Sequence, residues 1–130
     1  MLVEDEVVEQ MLLQRAFKGL NITRPLQVAS TGEEAFEILR AGKNEKPCII
    51  MLDMNLPKMN GLEFLKAVKQ DESLRMIPVI MLSTSKEKKD VEESFRCGAA
   101  GYMAKPIDYG HFLEMIRAID LYWTLSELPE

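Results

Sequence analysis

The sequence predicts an α/β fold, a doubly wound sheet of five parallel strands, and three observations carry that expectation. Short apolar runs recur along the chain: Met1-Leu2-Val3, Leu26-Gln27-Val28-Ala29, Cys48-Ile49-Ile50-Met51-Leu52, Val79-Ile80-Met81-Leu82 and Tyr102-Met103-Ala104. Runs of this length closed by turn formers read as strands buried on both faces, the habit of parallel sheets. Between them lie stretches whose apolar residues recur at helical spacing, so strands and helices alternate through short connections and the helices cover both faces. Finally, polar groups follow four of the runs at the same end: Glu4-Asp5, Asp53, Ser83 and Lys105-Pro106. In open α/β sheets the carboxyl edge of the strands is where ligands bind.

Each element has its own signals. The first run begins at Met1, so the first strand is expected to be short or to lack residues upstream. A helix should follow with Val8, Met11, Leu12, Ala16 and Leu20 on one face, ended by Gly19 and residues 21–25. Leu26–Ala29 is the least hydrophobic run, which places it at an edge. Ser30-Thr31-Gly32-Glu33-Glu34 offers a capping box for a second helix, with Ala35, Phe36, Ile38 and Leu39 as its apolar face and Gly42 as its stop. Pro47 precedes the third strand, Gly61 opens a third helix through Leu62, Leu65, Ala67 and Val68, and Asp71-Glu72-Ser73 ends it. Pro78 starts the fourth strand. Ser85 is placed to cap a fourth helix through Val91, Ser94 and Phe95, which Gly98 closes. Gly98-Ala99-Ala100-Gly101 then reads as a helix stop and a tight lead into the fifth strand. A last helix from about Asp108 carries Phe112, Met115, Ile116 and Ile119 and extends towards Trp123.

Composition narrows the function. With 130 residues the chain is expected to be a single domain over 1–130, without a second or output domain. A net charge of −5, with Lys86, Lys88 and Lys89 diluted by Glu87 and Asp90, excludes the basic stripe that a nucleic-acid surface needs. Cys48 and Cys97 form no metal or redox spacing, Cys48 reads as a small core residue, and the lone His111 reads as a helix-surface residue. No apolar run approaches the ~20 residues of a membrane span, so the expected compartment is the cytoplasm and no membrane partner is expected.

The chemistry comes from the groups at the strand ends. Glu4, Asp5 and Asp53 on neighbouring strands repel one another, so a positive group must sit among them, and the candidates are a metal ion and Lys105. Carboxylate oxygens without thiol or imidazole favour Mg²⁺ together with a phosphate oxygen. An ammonium and the Ser83 hydroxyl opposite would complete a shell around a phosphoryl group, and Asp53 is the natural acceptor, giving an acyl phosphate. Each group alone would read as a turn former or a solvated side chain; their joint placement makes the site. No Gly-rich nucleotide loop is present.

Taken together, Glu4-Asp5, M-L-D-M-N-L-P-K-M-N-G, P-V-I-M-L-S-T-S and G-A-A-G-Y-M-A-K-P resemble the receiver domain of two-component response regulators over nearly the whole chain. The resemblance implies a flavodoxin-like (βα)5 receiver fold with Asp53 as the phosphorylated residue. It implies that Asp5, Asp53 and the Asn55 backbone carbonyl bind Mg²⁺, with Glu4 taking part directly or through water. Ser83 and Lys105 would contact the phosphoryl oxygens, the Lys105–Pro106 peptide would be cis, and Ser83 with Tyr102 would form the switch. Asn55 and Ser85 match positions that tune acyl-phosphate lifetime in the family. The tail from Ile119 to Pro129 looks like the end of stand-alone receivers paired with phytochrome-type histidine kinases. Glu at the first acidic position and Ser at the strand-four hydroxyl depart from the commoner Asp and Thr, and both preserve the chemistry.

The resemblance thus implies a stand-alone response regulator that takes a phosphoryl group from a sensor histidine kinase, or a histidine phosphotransfer protein, onto Asp53. It would catalyse only its own phosphorylation and dephosphorylation, and pass the signal to a downstream protein through a changed surface. Tyr109, Phe112, Tyr122 and Trp123 on the last helix could form a homodimer face or serve the core. The rivals are a phosphorylation-independent interaction module on the same fold and a phosphotransferase of haloacid dehalogenase type. The latter needs an Asp two residues after the nucleophile, where this chain has Asn55.

Overall fold

Strands and helices alternate along the computed structural model, which describes residues 1–18, 26–41, 49–105 and 108–125, with side chains to residue 118 in the last helix. The order is β1 (Leu2–Val3), α1 (Val7–Lys18), β2 (Val28–Ala29), α2 (Gly32–Arg40), β3 (Ile50–Asp53), α3 (Gly61–Gln70), β4 (Val79–Ser83), α4 (Lys88–Arg96), β5 (Gly101–Ala104) and α5 (Tyr109–Leu125). The strands form one parallel sheet in the order β2-β1-β3-β4-β5, with β2 at an edge as its low hydrophobicity required. This is the flavodoxin-like order, whose ligand crevice opens where the winding reverses, between β1 and β3. No helix among the described residues is long and apolar enough to cross a membrane.

Because side chains alternate across a strand, the central strands feed two separate half-cores. Val3, Ile50, Leu52, Val79 and Met81 pack with Phe36 and Leu39 of α2 and Phe64, Leu65 and Val68 of α3. Leu2, Met51 and Leu82 pack on the other face with Leu13 of α1 and Phe112 and Ile116 of α5. The rings of Phe36 and Phe64 meet at 4.8 Å, tilted by 52°, which ties α2 to α3.

Helix ends follow the sequence signals with instructive exceptions. Thr31 caps α2 by accepting the Glu34 N–H at 3.1 Å, while the Glu34 carboxylate reaches back to the Ser30 N–H at 3.0 Å. A full capping box forms instead at α3: Asn60 accepts from the Glu63 N–H and Glu63 accepts from the Asn60 N–H. Gly98 closes α4 at φ 108°, a left-handed conformation that glycine adopts freely. The Gly98 and Ala99 N–H groups then donate to the Phe95 and Ser94 carbonyls, each at 3.0 Å, the pairing of a Schellman stop.

Three expectations are corrected. Val8, Met11 and Leu12 are 66%, 53% and 39% exposed; α1 turns Leu13 inward, with Ala16 of the expected face and Phe17 beside it. The helix is phased by polar anchors: the Gln10 side-chain amide donates to the Glu4 carbonyl and to Ser30 Oγ, which brings the Gln10–Leu13–Phe17 side inward. Ser85 does not cap α4; Glu87 occupies the cap without a side-chain hydrogen bond. Ser85 lies two residues too early, and its hydroxyl instead accepts the Glu87 N–H and donates to the Asp90 carboxylate. Phe95 is 47% exposed, because α4 presents Ser94 inward, its hydroxyl satisfied by the Asp90 carbonyl at 2.9 Å. In α5, Phe112 is core, which removes it from a dimer face, whereas Tyr109 stays exposed. Gly19, Leu20, Gly42, Pro47, Cys48 and Pro106, and the side chains of Ile119, Tyr122 and Trp123, lie outside the described residues.

Candidate functional site

Asp53 is the last residue of β3 and Glu4 follows β1, so adjacent strands deliver both carboxylates to the reversal point of the sheet. Glu4 is wholly buried and Asp53 nearly so, whereas the neighbouring Asp5 is exposed. The carboxylate oxygens of Glu4, Asp5 and Asp53 lie within 4.8 Å of one another. Lys105 follows β5, at the far edge of the sheet, and its side chain returns to the centre. Its Nζ stands 2.8 Å from Glu4 Oε1, 3.3 Å from Asp53 Oδ1 and 2.6 Å from Glu9 Oε2. The positive group demanded by the crowded carboxylates is therefore in place.

The backbone beyond Asp53 is held tightly. Met54 N–H donates to the Leu82 carbonyl, and Gly61 N–H to the Met54 carbonyl, both at 2.9 Å. A Cβ on residue 61 would lie 2.6 Å from both the Asp53 carbonyl oxygen and Met54 Cα, so only glycine lets α3 begin this close to the strand. Asn55 donates its N–H to Asp53 Oδ1 at 3.2 Å, which orients the carboxylate.

Ser83 ends β4 one step beyond Leu82, the register partner of Asp53, and is buried. Its hydroxyl accepts the Ser85 N–H at 3.0 Å, and its carbonyl accepts the Lys105 N–H at 2.6 Å. Tyr102 on β5 is half-buried, and its hydroxyl donates to the Ser85 carbonyl at 2.7 Å. Ser83, Ser85 and Tyr102 thus form one connected network beside the carboxylates.

Electrostatics follow from this crowding. Burial, reinforced by hydrogen bonds to Glu9 and Asp53, pushes the Glu4 carboxyl up to about 9 against the opposing pull of Lys105. The hydrogen bond from Glu4, aided by Lys105, holds Glu9 below the usual carboxylate range. Burial would lower Lys105, but the hydrogen bond to Glu4, the close Glu9 carboxylate and the Asp53 charge outweigh it and raise the ammonium above its ordinary value. Three carboxylates around one ammonium, with Asp5 beside them, leave surplus negative charge, and the fold favours a proton on Glu4. A donor set of hard oxygens with excess charge and no thiol or imidazole fits a small divalent cation.

The predicted residues Glu4, Asp5, Asp53 and Lys105 are brought together, with Asn55 touching Asp53 and Ser83 on the adjoining strand. Sequence reading missed Glu9. The available signal was its place in the first turn of the helix directly after Glu4-Asp5, which aims it back at the strand ends.

Residues 1–117 match the family model of the response regulator receiver domain. The chain is 33% identical over 126 residues to the probable methanogenesis regulatory protein FilR2 of Methanothrix harundinacea, covering 95% of this chain and 81% of that protein. Response regulator Rcp1 of Synechocystis sp. is 33% identical over 127 residues, covering 95% and 86%. The Mn²⁺-bound structure of Rcp1 superposes with a TM-score of 0.81 at 31% identity, covering 99% of this chain and 96% of that one. The phosphorylated cyanobacterial phytochrome response regulator RcpA gives a TM-score of 0.82 at 30% identity, with the same coverage.

Proposed function

The chain belongs to the response regulator receiver family of two-component signalling, and on that premise we propose that Asp53 accepts a phosphoryl group from a phosphohistidine. The observation that carries the reading is Lys105 Nζ, 3.3 Å from Asp53 Oδ1 at a strand end where Glu4 and Asp5 also converge. The phosphorylated state of RcpA and the Mn²⁺ of Rcp1 support it from related chains.

In this mechanism an Asp53 carboxylate oxygen attacks phosphorus in line, the P–N bond to the donor imidazole breaks as the P–O bond forms, and the imidazole leaves with a proton. Glu4, Asp5, Asp53 and the Asn55 carbonyl would hold Mg²⁺, which when bound supplies positive charge to the transferred phosphoryl oxygens. Lys105 and the Ser83 hydroxyl take the remaining oxygens, and the Asn55 N–H keeps the attacking carboxylate aimed. Hydrolysis of the acyl phosphate later resets Asp53.

The donor is a sensor histidine kinase or a histidine phosphotransfer protein, and likeness to RcpA favours a phytochrome-linked kinase. The chain acts in the cytoplasm, its signal leaving through a protein partner. Adding roughly −1.5 to −2 charge at Asp53 draws Ser83 and Lys105 to the phosphoryl group, and Tyr102, joined to Ser83 through Ser85, follows. Moving such a face from mostly off to mostly on takes about 5.5 kcal/mol of differential stabilisation.

Intact mass after incubation with acetyl phosphate and Mg²⁺ tests the reading. A labile phosphoryl adduct on the wild type, absent from Asp53→Asn, is the expected result. An adduct of equal yield on Asp53→Asn would remove Asp53 from the role, and no adduct on either would leave a phosphorylation-independent binding module.

A further inference from the structure

Lys105 is shared among three carboxylates, but they are not equivalent. It donates a hydrogen bond to Glu4 and stands at ion-pair distance from Asp53, and both of those residues belong to the cluster able to hold a divalent cation. Glu9 does not belong to that cluster, yet its Oε2 makes the shortest contact with the ammonium, 2.6 Å. This oxygen is shielded from solvent and makes no well-aligned hydrogen bond, so the contact is one of charge with charge. Glu9 cannot drift away with ease, because the next residue pins the first turn of α1 to the Glu4 carbonyl and to Ser30 Oγ.

We propose that Glu9 is a positioning residue that retains Lys105 on the α1 side of the site and thereby slows acyl-phosphate formation at Asp53. The proposal rests on the reading of Asp53 as phosphoacceptor. A cation on Glu4 and Asp53 weakens their hold on the ammonium, whereas Glu9 keeps its full charge. An arriving phosphoryl oxygen then competes with Glu9 for Lys105, and the carboxylate also offsets the positive field that the ammonium would project at Asp53. Glu9 is one-third exposed, so water can solvate it once Lys105 swings away.

Glu9→Gln keeps the shape and removes the charge, and Glu6→Gln, an exposed position on the same segment, controls for net charge. The rate of adduct formation from acetyl phosphate at saturating Mg²⁺ should rise at least about threefold in Glu9→Gln and stay at the wild-type value in Glu6→Gln. An unchanged or slower Glu9→Gln, or equal acceleration in both variants, overturns the proposal. A second readout needs no phosphoryl donor or metal: in ¹⁵N-lysine-labelled, metal-free protein the Lys105 ammonium signal should shift or broaden in Glu9→Gln only. A signal indifferent to Glu9→Gln also overturns it. If the wild type forms no adduct, the proposal falls with the reading beneath it, and an ammonium signal that still responds shows that the fault lies with Asp53 and not with the ion pair.

Discussion

Around Asp53, single atoms decide what the chain can do. The Asp53 carbonyl lies where a Cβ of residue 61 would fall, so Gly61→Ala forces α3 away from the strand and tilts the carboxylate. We expect a loss of about 2 kcal/mol in denaturant unfolding, as for overpacking, together with slower adduct formation. Glu4 supplies a pH signature in the metal-free protein. Its folded value, about 9, stands above the ordinary 4.5, so the fold favours the protonated form. Its contribution to stability is complete below about 4.5 and fades as pH rises towards 9. With a chelator present, the melting temperature should therefore fall from pH 6 to pH 9 in the wild type and fall less in Glu4→Gln, which has no proton to lose. Equal slopes would show that Glu4 is not the group responsible. Asp53, Glu4, Asp5 and Lys105 were legible at this scale because each directly follows an apolar run, and a parallel sheet sends all such positions to one edge. Glu9 was not, since its reach depends on how α1 is rotated.

The rotation of α1 belongs to the element scale. Its sequence offers two overlapping apolar stripes, one through Val8, Met11, Leu12 and Ala16 and one through Leu13, Ala16 and Phe17, and periodicity cannot rank them. Gln10 breaks the tie through its hydrogen bonds to Glu4 and Ser30. Leu13→Ala should therefore cost about 2–5 kcal/mol, while Leu12→Ala should stay near 0.5 kcal/mol or less, both read from urea unfolding midpoints. The reverse ranking would restore the stripe suggested by sequence. A similar limit explains α4: Ser85 carries the right chemistry for a cap, but the helix starts only at Lys88, and boundaries set by tertiary contacts escape local signals. Gly98, by contrast, was readable as a stop because the left-handed turn it makes is a property of the residue itself.

Across the whole molecule, the sheet separates two half-cores and joins them through strands that contribute to both. Phe64, fully buried against Phe36 and the β3–β4 face, anchors the half-core that also carries the start of α3 beside Asp53. Phe64→Ala should cost about 3–5 kcal/mol and reduce adduct yield in proportion to the folded fraction. A stable variant with no adduct would instead show that this half-core acts on the site directly. The sequence by itself determined the alternation of strands and helices, the parallel sheet, the edge position of β2 and the edge at which the polar groups gather. These follow from short-range patterns: apolar run length, turn formers and the fixed direction of parallel strands. Only the tertiary structure decided which face α1 buries and that Lys105 crosses from β5 to Glu4, Glu9 and Asp53. It also decided that Glu4 favours its proton and that residue 61 must lack a Cβ. Those outcomes depend on distances between atoms far apart in the chain, which no local pattern encodes.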